Sequence, residues 1–520
     1  MSWTSTYEAV EVGGVALHRM IAGTAGEVGD RPALIDGPTG QVVTYATLAS
    51  RMERVAAGLG AGGFGAGDVL ALWAPNLPPW AGVALGAMAA GGTVTGANPA
   101  CTAGELARQL ADSGASVLVT VPSLVPAALS AGASTDVREV VVLGEAEDAT
   151  SILELLAAEG PAPDAVLDPA TSVALLPYSS GTTGMPKGVM LTHANLVTSV
   201  RQVRRGLRVT GGDTLLAVVP FFHIMGFMVT LAAPLAAGAT VVTMPSFGVE
   251  RFLALIQEYS VTVLMVAPPI MAALARHPMV DAYDLSSLEL IVSGGAPLGA
   301  GLQRAVAERI PRAAVGQGWG MTETTVGATM PDREFGTEPG SVGRVMPNTE
   351  LRVVEPWTGR DLGPGERGEL WVRGPQVMAG YLNSPEATAG IIDAGGWVRT
   401  GDLGYVDNDG NVFVVDRLKE LIKVSAYQVA PAELEALLIT HPQVADAAVI
   451  PRPDASHGEI PVAVVVRRGE LDGDELMDWV AGRVAPHKRI RGVRFVEAVP
   501  RTPSGKLLRR VLIEQEQQVA

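Results

Sequence analysis

The sequence predicts an α/β protein: a large N-terminal domain of parallel α/β sheets with a β-rich subdomain, followed by a small α+β C-terminal domain. Three observations carry that prediction. Short apolar runs alternate with helical patterns up to about residue 350, the signature of parallel sheets covered by helices. From Leu351 the texture changes to short strands separated by the turn signals Gly363-Pro364-Gly365 and Asn408-Asp409-Gly410. Beyond Asp416 helices and strands alternate again over about 100 residues, an ordinary size for a small domain. The division is therefore placed at 1–415 and 416–520.

Taken in order, Leu48, Met52, Val55 and Leu59 recur at helical spacing and predict a helix over 44–60. Residues 69–73 read as a strand. Thr102-Ala103-Gly104-Glu105 is a capping box that opens a helix ending near Gly114. Residues 116–120, 139–143 and 173–176 read as further strands. The last runs into Tyr178-Ser179-Ser180-Gly181-Thr182-Thr183-Gly184-Met185-Pro186-Lys187-Gly188. Gly181, Gly184 and Gly188 let a backbone approach an anion closely. Ser179, Ser180, Thr182 and Thr183 supply hydroxyl donors and Lys187 a positive charge, a set suited to the β- and γ-phosphates of a nucleotide. The spacing is not GxxxxGK[ST], which excludes the common P-loop. A polar linker is the plain alternative; the buried strand upstream and the fixed lysine argue against it.

Thr192 caps the next expected helix, with His193 a local structural residue. A strand over 215–219 ends at Pro220-Phe221-Phe222-His223, which places His223 either in a pocket at a strand end or in the core. Strands over 261–266 and 288–292 follow, the second entering Ser293-Gly294-Gly295-Ala296-Pro297, where a flat ligand could lie against backbone. In Gln317-Gly318-Trp319-Gly320-Met321-Thr322-Glu323, Trp319 offers an open ring face, Thr322 a donor for phosphate and Glu323 a carboxylate fit for Mg²⁺. The C-terminal segment reads as a helix over 431–438, strands over 444–450 and 462–466, and a helix over 475–484. Its tail, Pro500-Arg501-Thr502-Pro503-Ser504-Gly505-Lys506, is a Gly/Pro loop that projects one lysine.

Composition narrows the function. With 520 residues, 48% hydrophobic and 18% charged, the chain is globular, and a net charge of −16 argues against a nucleic-acid partner. The single Cys101 rules out an intramolecular disulfide and a cysteine metal cluster; it reads as a small buried hydrophobe. The N-terminus lacks the basic and apolar regions of a signal peptide, so a cytoplasmic protein is expected. Two uncharged stretches, 77–102 and 225–246, are long enough to span a membrane. Pro99, Pro234 and Gly238 break them, and each is expected to fold as buried helix, turn and strand.

Residues Ser179 to Gly188 resemble the phosphate-binding signature of the adenylate-forming superfamily: acyl-CoA synthetases, luciferases and peptide-synthetase adenylation domains. The other motifs follow in that superfamily's order from about Tyr45 to Arg510. The resemblance implies adenine binding by Gly295, Ala296, Pro297, Gln317, Gly318 and Trp319, where the aromatic is more often Tyr. It implies ribose binding by Asp402 within Thr400-Gly401-Asp402 and by Arg417, a hinge at Asp416-Arg417-Leu418-Lys419-Glu420 that makes the small α+β C-terminal domain mobile, and Lys506 as the adenylating lysine. Thr322, Glu323, Lys506 and His223 are the expected catalytic set. ATP and Mg²⁺ are the expected cofactors, with Mg²⁺ on Glu323. His223, Met225, Phe227, Val229, Gly294, Gly318 and Val326 are expected to line the acid pocket. Met225 and Val229 stand where hydroxycinnamate ligases tend to carry polar groups, implying an apolar cyclic or aromatic acid, and Gly294 and Gly318 imply room beside its ring.

The nearest branch is the 4-coumarate–CoA ligase type, by Pro220-Phe221-Phe222-His223 and Val429-Ala430-Pro431-Ala432-Glu433. Along the acceptor channel, expected at Lys419, Lys423, Ser425, Ala426 and Gln428, the chain departs from it. After Lys423 that branch has aromatic, Lys, Gly, aromatic, Gln; here stand Val424, Ser425, Ala426, Tyr427 and Gln428. Ser425 removes a charge and Ala426 adds a methyl group where a pantetheine arm passes. The sequence therefore favours an amine acceptor, such as an amino acid, and an amide product, as in ligases of the coronafacic acid ligase type. A CoA thioester is the alternative, with luciferase-like oxygenation and a non-enzymatic nucleotide sensor further off. A monomer and a homodimer fit equally.

Overall fold

The computed structural model describes residues 1–158, 160–163, 165–179, 186–334, 336–425, 427–454, 456–502 and 505–519. Among them, a seven-stranded sheet runs in the order Ala314–Gln317, Leu290–Ser293, Val263–Val266, Thr214–Ala217, Thr240–Thr243, Pro32–Asp36, Val42–Thr44. Its strands are parallel up to the final pair, which is antiparallel. A second sheet is parallel through Val173–Leu175, Thr93–Gly96, Val69–Trp73, Ala115–Thr120 and Glu139–Val142. These strands are apolar on both faces because helices cover both faces. This is the mixed α/β architecture the periodicities predict.

Local signals hold closely. Thr44 caps the helix Tyr45–Ala61. The Thr102–Glu105 capping box opens Ala103–Ser113, and Gly114 closes it at φ +64°. Thr192 caps His193–Leu207. The uncharged stretches fold as expected, the first as helix Pro79–Ala89 and strand Thr93–Gly96, the second as helical turns leading to Thr240–Thr243. A Cβ on Gly86 would lie 2.6 Å from Val55 Cγ1, so the glycine lets Pro79–Ala89 close against Tyr45–Ala61. Among the described residues no helix is long and apolar enough to cross a membrane.

Several strands went unread, Pro32–Asp36, Val42–Thr44 and Ala314–Gln317 among them, and one bears on the site. Lys187–Thr192 returns antiparallel on Tyr178–Ser179 and Val173–Leu175, so Lys187 stands on a strand rather than in a loop. The antiparallel sheet Trp3–Thr4, Glu350–Val354, Gly368–Arg373, Val398–Val406, Val412–Arg417 is the β-rich subdomain. The C-terminal domain has its own sheet, in the order Tyr427–Val429, Ile422–Val424, Gly458–Arg467, Val444–Asp454, with Val493–Phe495 parallel to Gly458–Arg467. Helices Pro431–Leu438 and Gly473–Ala481 enclose a separate core around Leu434, Leu438, Val449, Val465 and Leu476.

Candidate active site

The carboxyl ends of Val263–Val266, Leu290–Ser293 and Ala314–Gln317 open into a cavity of about 1170 Å³, bounded on the far side by Lys419, Thr502 and Lys506. Ligands gather at such strand ends in α/β sheets. Here the strand ends are shaped by specific contacts. Asn76 donates to the carbonyls of Ala217 and Val219, 2.9 Å each, and its oxygen accepts the Phe221 N–H at 2.7 Å. That fixes the turn to His223. Gly226 then passes so close to the Pro220 carbonyl that a side chain has no room, and a π-helical segment, Gly226–Ala232, begins there.

His223 is neutral: burial, and after it the charge of Lys506, push its pKa down to about 4. Its Nδ1 accepts the Met225 N–H at 3.3 Å, so the proton sits on Nε2. Met225, Val229 and Val326 join His223 in the cavity wall. Phe227, expected there, does not: it packs on Trp80 in the core, ring centroids 5.8 Å apart. Two residues along a helix is about half a turn, so 225 and 229 share a face that 227 opposes. The room expected beside Gly294 is also taken, since a Cβ there would meet Met225 Sδ at 2.8 Å.

A second group surrounds Asp402. Its Oδ2 accepts Trp319 Nε1–H at 2.8 Å and its Oδ1 faces Arg417 Nε at 3.0 Å. Burial raises the Asp402 pKa, opposed by the Arg417 charge and the indole bond. Glu323 forms a third group. Its Oε1 accepts Ser179 Oγ–H at 2.9 Å and Tyr381 O–H at 2.6 Å. Lys187 Nζ stands 5.4 Å from the Tyr381 ring centroid. Lys506 enters the same space from the C-terminal domain. Gly505, at φ +83°, seats its loop so closely on Ala267 that an added Cβ would lie 2.9 Å from the alanine methyl. Burial lowers the Lys506 pKa, as does Arg417; Glu420, Asp402 and Glu323 oppose them.

Other expected residues fall elsewhere. Gln317 turns inward and clamps the loop after Gly295, bonding Leu298 N–H and C=O at 3.0 Å each. Gly295, Gly318 and Thr322 line the cavity, whereas Ala296 and Pro297 are not in its wall. Lys423, Ser425 and Gln428 are exposed on the hairpin Ile422–Val424/Tyr427–Val429, outside the cavity wall. Ser180, Gly181, Thr182, Thr183 and Ala426 lie outside the described residues. Sequence reading missed Tyr381, which bonds Glu323 from 58 positions away. It also missed Ser293, a residue of the cavity wall whose Oγ is buried without a hydrogen-bond partner among the described residues.

The AMP-binding enzyme family model matches residues 22–382, and the AMP-binding enzyme C-terminal domain model matches 433–506. The chain belongs to the AMP-binding enzymes. It is an ATP-dependent adenylate-forming ligase. Among its relatives, 4-coumarate–CoA ligase 3 of Oryza sativa subsp. japonica is 45% identical over 496 residues, 94% of this chain and 89% of the other. ATP-bound MatB from Rhodopseudomonas palustris superposes with a TM-score of 0.89 at 29% identity, covering 97% of this chain and 100% of that one. The amide bond synthetase McbA from Marinactinospora thermotolerans gives 0.86 at 30% identity, covering 96% and 99%.

Proposed function

We propose that this AMP-binding enzyme activates an apolar cyclic or aromatic carboxylic acid as acyl-AMP and passes the acyl group to the thiol of coenzyme A. What carries the activation half is the convergence of Lys506, Glu323, Arg417 and the apolar wall of Met225 and Val229 on one cavity, with Asp402 buried just behind that wall where it holds Arg417 and Trp319. What supports the thiol acceptor is the 45% identity to a 4-coumarate–CoA ligase across nearly the whole chain.

The residues fit a nucleotide with magnesium. Glu323, in the cavity wall, offers one oxygen-donor carboxylate, the usual protein share of a Mg²⁺ site completed by phosphates. The ion supplies charge neutralisation at those phosphates. The acid's carboxylate oxygen attacks the α-phosphorus; the bond to the β-phosphate oxygen breaks and pyrophosphate leaves. His223 Nε2–H is a donor for the carboxylate, holding it at the mouth of the apolar wall. Lys506 balances charge growing on the phosphates, and the Asp402 carboxylate accepts from the ribose hydroxyls. In the second step the thiol sulfur bonds the acyl carbon, AMP departs and the thiol proton is released. Rotation of residues 416–520 about Asp416–Lys419 exchanges Lys506 for the hairpin carrying Lys423 and Gln428.

Ser425 favours a second reading. It holds φ +55° at the hairpin tip, the left-handed region that costs a non-glycine residue, without the charge of the thioester-forming branch. An amine acceptor and an amide product fit that change, as does the likeness to McbA. Mass spectrometry of reactions with MgATP, a panel of acids, and either CoA or mixed amino acids decides between them. Thioester and AMP are the expected products. Amide without thioester would overturn the thiol reading, and AMP with neither product would overturn both acceptors.

Trp319→Phe keeps an aromatic ring and removes the indole N–H. The loss of one hydrogen bond to a carboxylate is expected to raise KM for ATP by about tenfold with kcat nearly unchanged. ATP–pyrophosphate exchange across ATP concentrations measures it, and an unchanged KM would remove Asp402 from ATP binding.

A further inference from the structure

The inner wall of the acid pocket is made of glycines whose missing side chains are replaced by methionine sulfurs. A Cβ on Gly206, in the helix His193–Leu207, would coincide with Met330 Sδ. One on Gly327 would lie 2.5 Å from Met346 Sδ, and one on Gly294 2.8 Å from Met225 Sδ. All three methionines line the cavity and are buried, at 4%, 1% and 6% exposure. Val203 and Leu207 of the same helix line it beside Met330. The cavity therefore continues past the strand ends to that helix, and its end is closed by Met330 and Met346 together with Val203 and Leu207. The branched side chains are the stiffer part of that end; methionine, with three rotatable bonds and a polarizable sulfur, changes shape at little cost.

Resting on the activation reading above, we propose that Met330, Met346 and Met225 form a yielding end wall, that Met330 sets the length of acid admitted, and that the site takes a graded series of apolar acids, straight-chain as well as cyclic. Met330 is seated in the notch at Gly206. Filling the notch drives its sulfur into the pocket, and truncating Met330 opens the pocket toward the helix. The two changes act in opposite directions on one dimension of the substrate.

The test is pyrophosphate release with MgATP and straight-chain acids from butanoic to dodecanoic, without any acceptor, so that the outcome does not depend on the thiol reading. A rigid pocket discriminates by about tenfold or more per methylene; the wild type is expected to vary less than that between neighbouring acids. Met330→Ala is expected to move the optimum toward longer acids and Gly206→Ala toward shorter ones. Gly206→Ala replaces glycine inside a helix with the best helix former, so the helix itself is not weakened. Met330→Leu, close in volume, provides a second variant with a preserved fold, expected to narrow the profile. A single sharp optimum in the wild type, or optima that stay in place in both Met330→Ala and Gly206→Ala, would overturn the inference and leave activation standing. No pyrophosphate release with any apolar acid, straight or cyclic, would overturn both.

Discussion

Lys506→Met is expected to lower the rate of acyl-AMP formation by about 10²–10³-fold, the usual cost of deleting one preorganised group that faces developing charge. The same change is expected to leave thermal stability unchanged or raised. Burial and the neighbouring Arg417 hold the Lys506 pKa below its ordinary value in the folded protein. A cation whose folded pKa is depressed is less favourable folded than unfolded at neutral pH. That deficit shrinks as pH rises through the folded pKa toward the unfolded one. Removing the charge removes the deficit. Activity is expected to have the opposite pH sign, because the proposed role of Lys506, balancing phosphate charge, needs the protonated lysine. The alkaline limb of kcat/KM for ATP, which reports the free enzyme, is therefore expected below the ordinary lysine range. Lys506→Arg should lift that limb upward. A rate loss accompanied by a lower melting midpoint in Lys506→Met would mean that the lysine holds the domains together rather than serving the phosphates.

The parts of this molecule legible in the sequence are those written in neighbouring residues. The capping box at Thr102 and Glu105, the strand at 69–73 and the helix at 431–438 depend on contacts within a turn or a few residues, and they stand where expected. Strand ends followed by glycines, at Ser293-Gly294 and Gln317-Gly318, located the cavity correctly for the same reason. What escaped depends on residues distant in the chain. The partners of Glu323 are Ser179 and Tyr381, 144 and 58 positions away, so neither its bond to Tyr381 nor the placement of Lys187 over that ring has a local signature. Gln317 sits in a ligand-like motif yet serves the loop at Leu298, because a buried amide bonds the nearest free backbone groups. The space at Gly294 shows why a glycine alone does not establish room: Met225, 69 positions earlier, had already filled it.

Arg333→Ala is expected to cost about 3 kcal/mol of stability, because it leaves a buried carboxylate without its cation. Arg333 holds Asp213 with both ends of its guanidinium, at 2.6 and 3.0 Å, and the two side chains are 14% and 3% exposed. Asp213 stands just before the strand Thr214–Ala217 and also accepts the Thr210 N–H and the Thr262 hydroxyl, each at 2.8 Å. Burial alone would raise its pKa; the bonds from Arg333, Thr210 and Thr262 more than reverse this and hold it below the usual aspartate value. The wild type therefore keeps this contribution at neutral pH, above the unfolded pKa, and loses it only as pH falls through the lowered folded pKa. Without Arg333, burial is opposed only by the weaker donors, so acid unfolding should begin at a higher pH. Asp213→Asn in the Arg333→Ala background should recover part of the loss, since the orphaned charge is then gone. Urea denaturation of the four members of this cycle, at neutral pH and in the acid limb, measures it. A stability loss that stays the same with and without Asp213→Asn would assign the cost to Arg333's other partners, Glu289 and the Arg208 carbonyl.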